Sequence, residues 1–150
     1  MPSTLVVVPC GQQKIWQKRP GAGPTVARDA YTGTPFVMNR RYAERFGDRW
    51  VILSAKYGLV TPDFLIPETY EVTFKKRDTH PVALDTLRLQ ANTLSTFETV
   101  IGLGGKEYRA ALEYAFELTD SQLIFPFAGL PLGYALQATK RAITNDTPVP

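Results

Sequence analysis

Cysteine and histidine are almost missing from this chain: Cys10 and His80 are the only ones among 150 residues. One thiol excludes an internal disulfide framework and an all-cysteine metal site, and one imidazole removes most zinc and His-dyad chemistry. No carboxylate or histidine pair has metal-ligand spacing, so neither a metal nor a cofactor is expected. No apolar run approaches the roughly 18 residues of a membrane span. The N-terminus lacks the basic region and longer apolar stretch of a signal peptide, since Leu5 to Val8 is only strand-length. A cytoplasmic protein without a membrane partner is the expectation. Internal repeats, low-complexity tracts and interdomain linkers are also absent. What remains is 44% hydrophobic and 21% charged residues, a globular composition. It is read as one domain over residues 1–144, followed by a flexible, polar and proline-rich tail over 145–150.

The net charge of +3 is mild, but it is unevenly distributed. Residues 1–60 hold nine basic against three acidic groups, a local net of +6, and residues 61–150 hold eight against eleven, a net of −3. Such asymmetry points to an anionic partner on the N-terminal side, or to uneven charge on a solvated surface.

Four short runs read as strands: Leu5–Val8, Trp50–Leu53, Thr99–Ile101 and Leu123–Phe125. Each is nearly continuous in β-branched, aliphatic or aromatic residues rather than alternating, which suits strands buried on both faces of a parallel sheet. The segments between them have helical period. Thr34-Pro35 is a start signal, with threonine in the capping place and proline at the first helical residue, and Gly47 ends that helix. A second helix is expected over about 81–95, a third carries Tyr108, Ala111, Leu112, Ala115 and Phe116 on one face, and Pro131 opens a fourth with Leu132, Ala135, Leu136, Thr139, Ala142 and Ile143 inward. Strand–helix alternation repeated four times predicts a three-layer open α/β sheet, mostly parallel, with four core strands and helices on both faces. Two long connections, 10–33 and 56–79, contain several aromatics, which favours ordered loops.

In such a sheet ligands bind beyond the strand C-termini, so those four ends carry the functional reading. The first is followed by Cys10-Gly11-Gln12-Gln13-Lys14, the second by Ser54-Ala55-Lys56-Tyr57-Gly58, the third by Gly102-Leu103-Gly104-Gly105-Lys106 and the fourth by Pro126-Phe127-Ala128-Gly129. Glycine at each end lets backbone approach a ligand, and Lys14, Lys56 and Lys106 supply point charges for phosphate or carboxylate. Gly102 to Lys106 is not a P-loop: Val100 and Glu107 break both the GxxxxGK[ST] and the GxGxxG patterns. It remains either a backbone nest for an anion or a glycine turn required by packing. Cys10 stands where a nucleophile or a ligand-lining group would sit; a small buried hydrophobe is the alternative. Ser54 and Tyr57 are hydrogen-bond donors to a substrate, or parts of a turn around Gly58. Asp63 and Glu68, in the second long loop, are candidate general acids or bases or, with no partner spacing, solvated loop carboxylates. Arg40, Arg41 and Arg45 share one side of the first helix, as a phosphate-tracking face or as an ordinary charged face with Glu44 among them.

Val8-Pro9-Cys10-Gly11 with Lys14, Tyr31-Thr32-Gly33 with Phe36, and Trp50 to Leu59 with Pro62 resemble the YaaA-like domain-of-unknown-function family. That family is related to a DNA-binding peroxide-stress protein, and is similar to a domain of archaeosine-synthase-type tRNA-modification enzymes. The resemblance covers about the first half of the chain by motif. It implies a uracil-DNA-glycosylase-like three-layer domain with a role near nucleic acid or modified nucleobases, and nominates Cys10, Lys14, Tyr31, Thr32, Gly33, Ser54, Lys56, Tyr57 and Gly58. The chain has no helix-hairpin-helix glycine signature and no additional RNA-binding domain, so neither duplex DNA nor tRNA is implied.

The expectation is therefore a small protein directed at nucleic acid or a nucleotide, acting at a nucleobase or an N-glycosidic bond. Cys10, Lys14, Ser54 and Lys56 are the catalytic candidates. Gly11, Tyr31, Thr32, Gly33, Tyr57, Gly58, Gly104 and Lys106 are the ligand-binding candidates, with Trp16 as a further stacking surface. Arg40, Arg41 and Arg45 are placed on the nucleic-acid backbone. An enzyme acting on a small anionic metabolite, such as a nucleotide or sugar phosphate, is the alternative. A non-catalytic interaction module is the third.

Overall fold

The apolar run near the N-terminus forms β1 (Thr4–Pro9), and residues 5–9 are all buried, as a central strand requires. The computed structural model describes residues 3–148. After β1 come α1 (Ile15–Lys18), β2 (Thr25–Val26), α2 (Ala27–Ala30), α3 (Thr34–Phe46), β3 (Arg49–Ser54), β4 (Gly58–Val60), β5 (Leu65–Ile66), α4 (Leu84–Asn92), β6 (Thr99–Gly102), α5 (Lys106–Phe116), β7 (Gln122–Ile124) and α6 (Leu132–Thr144), with a single 3₁₀ turn at Arg77–Thr79. The main sheet has five strands in the order β4-β3-β1-β6-β7. Its four expected strands are parallel, with Leu5 opposite both Arg49 and Val100, and Val100 opposite Leu123.

Two apolar layers flank the sheet. Val6, Val8 and Ile52 face Tyr42 and Ala43 of α3 and Ala142 of α6. Leu5, Val7, Val51 and Val100 face Leu87 and Ala91 of α4 and Ala111, Leu112 and Ala115 of α5. The chain leaves β1 in one direction to β3 and later returns past β1 to reach β6 and β7. Right-handed crossovers in opposite directions must lie on opposite faces, which separates α3 from α5. The chain thus reverses its direction of travel at β1, and that strand's C-terminal end is the switch point of the sheet.

Four details depart from the sequence reading. The fifth strand, β4, is antiparallel to β3, with Ser54 opposite Gly58 and Leu53 opposite Leu59. Three residues between glycine and a turn carry too little period to announce a strand. The two long connections pair with each other: β2 and β5 form a separate two-stranded antiparallel sheet. Helix starts also shift. Gly33, not Thr34, occupies the capping position of α3, and no side chain caps it. The second helix begins only at Leu84, because 81–83 run extended and Val82 N–H donates to the Ala55 carbonyl at 2.7 Å. On α6, Thr139 and Ala142 are buried, whereas Leu132 faces solvent.

At the C-terminus, the Asn145 and Thr147 amides donate back to Arg141 and Ala142, and Asp146 pairs with Arg45. Val149 and Pro150, the end of the expected tail, lie outside the described residues. No helix among the described residues is long and apolar enough to cross a membrane.

Candidate functional site

A cleft of about 520 Å³ opens at the C-terminal end of β1. One wall is the segment following β1, with Cys10, Gly11, Gln12 and Lys14; the other is the loop after β5, with Tyr70, Glu71 and Lys76. Trp16 and Tyr108 complete it.

The β1 wall is held by its neighbours. Cys10 N–H continues the ladder to the Leu53 carbonyl at 3.0 Å. Lys14 and Tyr31 form an isolated antiparallel bridge, and Thr32 N–H donates to the Gln13 carbonyl at 3.0 Å. Tyr31, Thr32 and Gly33 therefore position the segment rather than line the cleft. Trp16 is fixed by its indole N–H, which donates to the Gly23 carbonyl at 3.0 Å.

Lys14 is only 5% exposed. Its ammonium lies 4.5 Å from the centre of the Tyr70 ring and donates one long bond, 3.3 Å, to the Gln12 carbonyl. Among the described residues it has no ion pair. Burial pushes its pKa below the usual lysine value, with Cys10 and Glu71 nearby opposing that shift. Lys56 is exposed, with its ammonium 5.3 Å from the Tyr57 ring centre and 5.6 Å from that of Tyr70.

Tyr70 itself is locked from behind. Fully buried Ser54 accepts from the amides of Lys56 and Tyr57 at 3.2 and 3.1 Å, which occupies both lone pairs of Oγ. Its hydroxyl must then donate to the Tyr70 oxygen, 2.8 Å away. Tyr70 in turn donates to Tyr31. Burial raises the pKa of both phenols, so they remain neutral donors over the physiological range. Tyr57 packs edge-on against the Tyr70 ring at 5.6 Å. Ser54 thus acts through Tyr70 and through the turn, not at the ligand surface.

On the other side the Tyr108 oxygen lies 3.3 Å from Cys10 Sγ, and the Phe74 ring packs edge-on against Tyr108 at 5.3 Å. Burial, and Cys10 beside it, raise the Tyr108 pKa. The half-buried thiol therefore sits between a neutral phenol and the Lys14 segment, accessible from the cleft.

The remaining sequence candidates lie elsewhere. Gly58 has φ +80° and meets the Gln90 side chain, away from the cleft. Gly104 has φ +118°, and a Cβ there would stand 2.9 Å from Pro9, so packing of the strand end accounts for it. Lys106 is the exposed first residue of α5 and does not line the cleft. Arg40 pairs with Asp29 and Glu44 and donates to the Arg28 carbonyl at 2.8 Å, and Arg45 pairs with Asp146; Arg41 is exposed, with no ion pair among the described residues. No cluster of three potential metal ligands occurs among the described residues.

The sequence reading left Tyr70, Glu71 and Lys76 out of the site, since they lie in an aperiodic loop. Tyr108 was assigned to the core stripe of its helix. A polar-tipped aromatic in the first turn after a strand end was the available signal.

Among solved structures, the chain resembles the crystal structure of AF0587, described as a protein of unknown function. The TM-score is 0.44 with 13% identity, covering all of this chain and 47% of that one, and this likeness is too loose to fix the fold. It is 39% identical over 142 residues to the uncharacterized protein YfjM of Bacillus subtilis (strain 168), covering 93% of this chain and 94% of that protein. Residues 5–141 match the family of unknown function DUF6884, and the chain belongs to that family.

Proposed function

We propose that this protein is directed at nucleic acid or a nucleotide, and that the cleft at the end of β1 takes one nucleotide unit, with chemistry at the nucleobase or its N-glycosidic bond. The observation that carries this reading is the meeting, in the lining of one cleft of about 520 Å³, of aromatic side chains with lysines: Tyr70, Tyr108 and Trp16 beside Lys14 and Lys76. A base offers a π-face and a nucleotide an anionic group. Stacking contributes about 1–3 kcal/mol per base, and the amines account for the charge. The volume falls within the roughly 300–1,000 Å³ of single-ligand pockets, which suits one extruded unit rather than a duplex.

Cys10 and Glu71 are the reactive groups of the lining, the thiol as a nucleophile and the carboxylate as a general base. Lys14 supplies charge beside them, while Ser54 and Lys56 act through Tyr70. The resemblance to YaaA-like proteins, with the uracil-DNA-glycosylase-like layering it implies, supports the same reading.

Fluorescence anisotropy of labelled single- and double-stranded oligonucleotides, titrated with salt, tests it. Binding should favour the single strand and weaken linearly in log K against log salt. Absence of binding at low salt, or binding indifferent to salt, would overturn it.

A further inference from the structure

Buried lysines are ordinarily paired, because an unpaired ammonium out of water is costly. Lys14 has no carboxylate partner. It is buried, without an ion pair among the described residues, and is held by the face of Tyr70 at 4.5 Å and one 3.3 Å hydrogen bond to a carbonyl. Beside it, the amides of Gly11 and Gln12 find no acceptor among the described residues, although both residues line the cleft.

Lys76, on the opposite wall, is pinned by its own loop. Thr79 Oγ1 accepts from Thr73 N–H at 3.0 Å and lies 2.6 Å from the Lys76 carbonyl. Two lysines and the two residues whose amides lack a protein acceptor therefore line one cleft, in which Glu71 is the single carboxylate among the lining residues.

We propose that Lys14, Lys76 and the amides of Gly11 and Gln12 form a subsite for a phosphate monoester, so that the ligand is a nucleotide ending in a phosphate: a free nucleoside monophosphate or a phosphorylated strand end. This rests on the nucleotide reading above and narrows it. A monoester carries about −1.5 to −2 charges near neutrality against −1 for an internal diester, so it gains more from two ammonium groups, although Glu71 in the same lining offsets part of that gain. A surface for a run of internal phosphates would need free cations in a row, and Arg40 and Arg45 are already engaged with Asp29, Glu44 and Asp146.

The test compares one oligonucleotide with 5′-hydroxyl, 5′-phosphate and 3′-phosphate ends, and a nucleoside with its 5′-monophosphate, by anisotropy and calorimetry. A terminal phosphate should tighten binding at least tenfold. In Lys14→Gln and in Lys76→Gln that gain should fall below threefold. Lys76 is exposed on its loop, so the second variant serves even if the first does not fold. A gain confined to the nucleoside monophosphate assigns the site to free nucleotides, and one confined to an oligonucleotide assigns it to strand ends. Equal, salt-dependent binding of phosphorylated and unphosphorylated probes overturns the phosphate subsite and leaves the nucleotide reading standing. Binding of none of them removes both.

Discussion

Replacing Gly58 with alanine should cost this fold about 3–5 kcal/mol, although the added methyl is the smallest possible side chain. Gly58 closes a three-residue hairpin loop between β3 and β4 with φ +80°, the left-handed geometry such loops require at that place. An L-residue there carries about 1–2 kcal/mol of strain. The new Cβ would also stand 2.9 Å from Gln90 Cδ and closer still to Oε1. Gln90 cannot move aside freely. Its Oε1 accepts from Leu59 N–H at 2.8 Å and its Nε2 donates to the Tyr57 carbonyl at 3.1 Å, clamping the hairpin to α4. Displacing it loses two hydrogen bonds at about 1 kcal/mol each and strands a partly buried amide. Urea denaturation of Gly58→Ala, Gln90→Ala and the double variant separates the contributions. Once Gln90 is gone, Gly58→Ala should cost only the strain, leaving a coupling of about 2 kcal/mol between the two sites. A Gly58→Ala protein within 0.5 kcal/mol of the parent, or additive single variants, would refute the clamp.

Ser54→Ala removes the acceptor of two turn amides and the donor to Tyr70 at a fully buried position, and should lower stability by about 2–4 kcal/mol in thermal or urea unfolding. Lys14, whose pKa burial lowers from 10.5, binds its proton more weakly in the folded than in the unfolded chain. Folding stability should therefore rise with pH between that lowered value and 10.5, and Lys14→Met should flatten the rise and stabilise the protein at neutral pH. Above about pH 10 the buried phenols Tyr31 and Tyr70 act in the opposite sense, since only the unfolded chain ionises them readily; the difference in melting temperature between the parent and Lys14→Met, followed with pH, isolates the lysine. The single thiol, Cys10, lines the cleft, so iodoacetamide should modify one site per chain, and a saturating nucleotide should slow it at least fivefold. An unchanged rate would put the ligand elsewhere.

The layers of the fold were legible because burial writes itself into sequence with a period. Leu5–Val8 and Trp50–Leu53 show no alternation because both their faces are covered, and Ala111, Leu112, Ala115 and Phe116 recur at helical spacing because one face is. One ion pair joins the basic and acidic parts of the chain, Asp146 with Arg45, which linear charge counting could not show. Half the cleft was legible for a topological reason: the end of β1 is where an open sheet changes direction, so Cys10 and Lys14 stood out. The other half comes from 69–79, where Tyr70 and Lys76 are placed by threonine turns and a hydroxyl chain that leave no pattern.

The two most specific stretches of the sequence turn out to do different work. Ser54 to Gly58 reads as a ligand motif, yet three of its five residues have a local physical reason: Ser54 caps the turn amides, Gly58 supplies the positive φ, and Tyr57 braces Tyr70. Cys10 to Lys14 has no such explanation. Nothing in the packing of β1 requires an ammonium there, and its desolvation cost is only partly offset by the Tyr70 ring, the Gln12 carbonyl and nearby Glu71. Lys14 is the one charged side chain among the buried polar residues described, and the nucleotide reading proposed above would set an anion beside it as the counter-charge that no ion pair supplies.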